Sequence, residues 1–166
     1  MSTTKDITGP AILRIYEDAK AIFDEGALDG SVPAPRVTLD LPATDPEPFH
    51  VFVWGQAREF VNVTFLTHKV YLVTFKVRMT LVASGSTPED AARIANAYLA
   101  KAVQITLCDT QLGGAAEELG VPQIVSSDAW VDQSGRRHAG YLLEYEVSKS
   151  VAADPAIEEL LGGIDE

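Results

Sequence analysis

The sequence has a single cysteine, Cys108, so no disulfide can close within the chain and a reducing compartment is its natural setting. No apolar run approaches the roughly 18 to 20 residues that a membrane-spanning helix needs, and the first residues lack the basic and apolar blocks of a secretion signal. The expected location is the cytoplasm, or a particle assembled there, with no membrane partner. Basic residues are scarce: 13 Lys and Arg stand against 24 Asp and Glu, a net charge of −11. Nucleic-acid affinity rests largely on Lys and Arg neutralising phosphates, which argues against a tight grip on DNA.

Chemical signatures are scarce too. There is no GxSxG elbow, no P-loop and no GxGxxG after a strand, and Gly113-Gly114 reads as a helix terminator. His50, His68 and His138 are scattered, with no HxxxH spacing, and one cysteine cannot build a thiolate metal site. The expectation is no catalytic residue, no cofactor, no metal, and therefore no enzyme.

What is present is a foldable domain. The chain has 166 residues, 46% of them hydrophobic and 22% charged, enough for one core without staples. The negative charge is concentrated at the ends. Residues 1–48 carry four bases and nine acids, residues 150–166 carry five acids and no base, and the centre is nearly neutral. Solvated ends that favour solubility are the plain reading of this pattern.

Ile12, Ile15, Tyr16, Ala19, Ile22 and Phe23 recur at helical spacing and predict a helix over 10–25, with Pro10 in its first turn. Residues 31–48 hold five prolines, which forbid a helix, and read as an extended connector with a short edge strand at 36–41. Strand character then dominates at 49–54, 60–66 and 69–83. In the last of these, Tyr71, Val73, Phe75, Val77, Met79 and Leu81 share one face, and Thr74, Lys76, Arg78 and Thr80 share the other. Thr87-Pro88-Glu89-Asp90 caps a helix to about Leu107 whose stripe, Ala91, Ile94, Ala95, Tyr98, Ala102 and Ile105, suits a sheet surface.

After Leu112-Gly113-Gly114, strand character resumes over 121–131, turns at 132–135, and returns with Tyr141, Leu143, Tyr145 and Val147 opposite Glu144, Glu146 and Ser148. If the strands are neighbours, Lys76 and Arg78 meet Glu144 and Glu146 across a polar face. The order predicts an α+β domain over 1–149, a mainly antiparallel twisted sheet of four to six strands with helices packed on one face. Residues 150–166 form an acidic tail in which Pro155 to Gly163 has the signals of a short, marginal helix.

Glu144 and Glu146 are spaced for acid–base work, but alternation places them on the solvated side. Arg136-Arg137-His138 is the only basic cluster, and at a hairpin tip it suits turn solubility or one contact between subunits. Trp54 and Trp130 lie in strand-like segments and read as core or interface residues.

Taken together, the N-terminal helix, the proline-rich crossing, the strand Val70 to Thr80, the capped Thr87-Pro88-Glu89-Asp90-Ala91-Ala92 helix, the break at Leu112-Gly113-Gly114 and the strand Gly140 to Val147 resemble the tail terminator (tail completion) proteins of long-tailed phages. The resemblance covers roughly residues 8–149 and is one of arrangement. It implies a structural virion protein that assembles in the host cytoplasm as a homo-oligomeric ring, usually a hexamer, on the head-proximal end of the tail tube. The implied partners are other copies, the tail tube protein and the head-to-tail connector proteins, with DNA passing through the lumen unbound. Interface or lumen candidates are Lys76, Arg78, Glu144, Glu146, Arg136 and Arg137, with Ile157, Leu160 and Leu161 in the tail as apolar anchors for a partner or, on the plainer reading, for folding back on their own subunit. A head-to-tail adaptor or head-closure protein is the alternative in the same setting. A small-molecule-binding domain or enzyme with a pocket near Tyr98, Tyr141 and Tyr145 is the alternative of another class.

Overall fold

The computed structural model describes residues 4–42, 47–55, 60–67 and 70–152. Over the described residues it is an α+β fold of two α-helices and one seven-stranded sheet. Helix α1 (Thr4–Ile22) leads through a short 3₁₀ turn to β1 (Arg36–Leu39), β2 (His50–Trp54), β3 (Phe60–Thr67) and β4 (Val70–Gly85). Helix α2 (Pro88–Cys108) follows, then β5 (Glu118–Leu119), β6 (Gln123–Val131) and β7 (Arg137–Ala152). The tail candidates Ile157, Leu160 and Leu161, and the short helix expected there, lie outside the described residues.

The sheet is built on β4 and β7, two antiparallel strands of 16 residues each that pair along their whole length, from Val70 opposite Ala152 to Gly85 opposite Arg137. Because β7 occupies one side of β4, β2 and β3 share the other side, β2 beside Arg78–Val82 and β3 beside Val70–Phe75. By the same logic β5 and β6 share the outer side of β7. The sheet is mixed, since β1 runs parallel to β2, and it has seven strands where four to six were expected. Alternation along a strand reports its faces and not the direction of its neighbour, so this parallel edge pair is invisible to the period-2 pattern.

Both helices lie on one face, α1 across β1 and β2 and α2 across β4 and β7. Between helices and sheet sit Ile7, Ala11, Ile15, Ala19 and Phe23 from α1, Ile94, Tyr98, Ala102 and Ile105 from α2, and Val73, Phe75, Val77, Met79, Leu81, Leu143, Tyr145 and Val147 from the long strands. The expected faces of β4 and β7 are therefore the observed ones.

Helix α1 begins six residues before Pro10, not at it. Proline at this position removes one hydrogen bond and crowds the carbonyl of Asp6, but the damage is confined to the first turns. Gly9, with no Cβ to clash with the proline ring, eases the helical conformation before it. Buried Ile7 and Ala11 continue the stripe of Ile15 and Ala19 back through those turns, and this packing holds them. At the start of α2, Thr87 accepts the Asp90 N–H at 3.1 Å as its sequence predicts.

Candidate functional site

The sheet face away from the helices carries the charged residues singled out by the sequence. Ladder register sets Arg78 opposite Glu144 and Lys76 opposite Glu146. Both cations nevertheless converge on one carboxylate: Arg78 reaches Glu144 Oε2 at 3.1 Å and Lys76 reaches Oε1 at 3.4 Å. The Arg78 guanidinium also lies 5.3 Å from the Trp54 ring centre, and the Trp54 indole N–H donates to Thr80 at 3.2 Å. The Arg78 and Glu144 side chains keep only 15% and 17% of their exposure, so this pair is a largely covered structural bond. Lys76 and Glu146 sit further out and, with Glu118, Glu144 and Ser148, line a cleft of about 240 Å³.

Arg136 and Arg137 do not join this group. They are exposed at the β6–β7 hairpin, Arg137 opposite Val131 and Gly85 at the other end of the long strands. The turn between them is held by Asp132, whose Oδ1 accepts the backbone N–H groups of Ser134 and Arg136 and the Ser134 hydroxyl, with Gly135 at φ +85°. These bonds and the nearby His138 keep the Asp132 carboxyl well below the usual range.

The structure also assembles two groups that the sequence reading missed. His138 bridges Ser84 Oγ at Nδ1 (2.7 Å) and Asp132 Oδ2 at Nε2 (2.8 Å), while its ring stacks on Trp130 at 5.2 Å. Serine, histidine and aspartate in series suggest an activated nucleophile. Here, however, Ser84 is 1% exposed and its hydroxyl lies 3.1 Å from the Pro48 carbonyl, so the chain braces the hairpin to the proline-rich crossing. The Asp132…His138 spacing around a turn was the available signal.

The second group joins α1 to the end of α2. Arg14 Nε lies 2.8 Å from Asp109 Oδ2 and 3.4 Å from Asp18 Oδ1, and Asp109 Oδ1 accepts the Gly113 N–H at 2.9 Å. Asp18 Oδ2 is buried without a hydrogen-bond partner. Burial first, and then the adjoining Asp109, push the Asp18 carboxyl up to about 7, while Asp109 is held low by Asp18 and Arg14. With residues 91 positions apart, no sequence pattern announces this pair.

The pocket near Tyr98, Tyr141 and Tyr145 that the small-molecule alternative would use is filled by the side chains themselves. Tyr98 and Tyr145 are buried with their hydroxyls donating to the carbonyls of Pro33 and Ala102, and Tyr141 donates to Asn96. Among the described residues no three His, Cys, Asp or Glu side chains converge as metal ligands, and no helix is long and apolar enough to cross a membrane.

Among the described residues, two edges of the sheet expose apolar side chains. All nine residues of β6 are exposed, including Ile124, Val125, Trp130 and Val131. At the opposite edge, Leu13, Leu39 and Leu41 rim a largely apolar groove of about 870 Å³ between α1 and the ends of β1 and β2. Comparison with protein-family models and with curated proteins finds no match to this chain.

Proposed function

We propose that this chain is a self-assembling structural protein, and specifically the tail terminator of a long-tailed phage, a ring that caps the tail tube, stops its polymerisation and offers the surface to which the head joins. The observation that carries the assembly reading is β6, a nine-residue edge strand with every side chain exposed and four of them large and apolar. Soluble monomers blunt such edges with charge, proline or a covering element. Among the described residues β6 has one charge, Asp128, no proline and no strand beyond β7 beside it. A second copy supplies the missing cover.

The terminator reading rests on the likeness of arrangement and draws support from two further features. The cleft lined by Lys76, Glu118 and Glu146 is polar and suits a lumen wall, and a net charge of −11 lets DNA pass without sticking. The ring acts stoichiometrically through protein surfaces, with the tail tube and the connector proteins as partners, at the head-proximal end of the tail. Ile157, Leu160 and Leu161 remain the proposed anchors for those partners, since interfaces concentrate their energy in a few buried apolar residues. Light scattering over a concentration series, with and without tail tubes, tests the assembly. A closed oligomer in either setting supports it, and a monomer in both refutes it.

A further inference from the structure

Of the sheet's outer strands, β1 and β6 can be compared in height residue by residue along the ladder. Arg36 pairs with His50, His50 with Val82, Val82 with Gly140 and Gly140 with Asp128, so Arg36 and Asp128 lie at one level on opposite edges and on the same face. Thr38 is level with Ser126 through Phe52, Thr80 and Leu142. Leu39 is level with Ile124 through Val53, Met79 and Leu143, on the helix side.

Direction agrees as well. β2 and β7 each run against β4, β1 runs with β2, and β6 runs against β7. Thus β1 and β6 are antiparallel to one another. If copies stand the same way up around an axis, β6 of one meets β1 of the next at equal height and in the sense an antiparallel ladder requires.

We propose that β6 of one copy adds to β1 of the next, continuing the sheet between subunits, with Asp128 of one copy facing Arg36 of the other. The inference rests on the assembly reading above and names its contact. Charge supports this occupant: Asp128 is exposed with no side-chain partner among the described residues, and Arg36 is exposed on the β1 edge, ion-paired with Glu47 at 2.9 Å and with His50 as its ladder neighbour. Apolar surface supports it too. The neighbour's Ile124 and Val125, 53% and 50% exposed, arrive beside Leu39 and Leu41, 45% and 60% exposed, at the rim of the groove. The irregularity between Ile124 and Ser126 sets Val125 out of the ladder, free to enter that groove. The contact is heterologous, so it propagates around a ring and does not stop at a pair.

Charge reversal in the full chain tests the contact. Both residues are exposed, so Arg36→Asp and Asp128→Arg should retain the far-ultraviolet circular dichroism of the wild type. Each single reversal is expected to weaken association at least about tenfold, and the double reversal to restore most of it, because like charges opposed at an interface are costly and opposite ones are not. Association is read by light scattering in both settings, alone and with tail tubes. If the wild type assembles and the single reversals assemble equally well, this contact is wrong and the assembly reading stands. If only Asp128→Arg weakens assembly, β6 pairs with something other than β1 and the contact is again wrong. A wild type that stays monomeric in both settings overturns the assembly reading and this contact with it.

Discussion

Replacing Asp18 by asparagine should make the protein's stability less sensitive to pH, and the direction follows from the carboxyl pair that joins the two helices. Burial and the neighbouring Asp109 raise Asp18 from an ordinary value of 3.8 to about 7 in the folded chain. A raised carboxyl binds its proton more tightly when folded than when unfolded, so its stabilising effect is complete below about 3.8, is lost as pH climbs towards 7, and is constant above that. Three units at 1.36 kcal/mol each set a ceiling of about 4 kcal/mol. The Asp18 side chain keeps 20% of its exposure and Arg14 beside it 42%, so solvent screening reduces the effect to about 1–2 kcal/mol. Asparagine mimics the protonated acid at every pH. Urea denaturation of both proteins at pH 4.5, 6 and 7.5 should therefore give a stability difference that is small at pH 4.5 and grows to about 1–2 kcal/mol in favour of Asp18→Asn at pH 7.5. His50, which burial lowers, tilts both curves equally and cancels in the difference. A constant difference across this range would show that Asp18 is already ionised at pH 4.5 and that the pair holds no proton.

Three further outcomes follow from the packing. Phe75→Ala, which empties a core position, should cost about 3–5 kcal/mol in denaturant unfolding, whereas Lys76→Ala, one residue away on the other face, should stay within about 0.5 kcal/mol; equal losses would mean the faces are reversed. Gly140→Ala should destabilise by at least about 1 kcal/mol, since its Cβ would stand 2.7 Å from the Leu81 carbonyl oxygen, and an unchanged midpoint would contradict that close approach. Ser84→Ala should speed amide hydrogen exchange at 132–138 while leaving α1 unaffected, because it unties His138 from the proline-rich crossing; unaltered exchange there would remove the brace.

The parts of this fold that were legible in the sequence are those in which local pattern and burial coincide. Alternation from Tyr71 to Leu81 and from Tyr141 to Val147 placed both strand faces correctly, because the helices cover only one side of the sheet. Thr87 and Pro88 located the start of α2, since capping is a short-range bond. Pro10 misled, because its preference for a first turn is weaker than the packing of Ile7 and Ala11. The strand character of β6 was visible, but its exposure on both faces was not, since exposure depends on where the helices end. Lys76, Arg78 and Glu144 were brought together as their spacing suggested, and the choice of Glu144 by both cations is a matter of side-chain reach that register alone does not set. The Arg14, Asp18 and Asp109 cluster needs the docking of α1 on the end of α2, a long-range contact with no local trace.

The role proposed for this protein is to end tail assembly. Its most direct test is the length distribution of tail tubes, measured by electron microscopy in lysates of the phage with this gene removed. The expected result is tubes that are overlong or of irregular length and tails that fail to join heads, with both defects reversed when the full chain is supplied in trans. Tails of normal length joined to DNA-filled heads would contradict it, and complete tails of normal length beside heads that have lost their DNA would assign the chain to head closure instead.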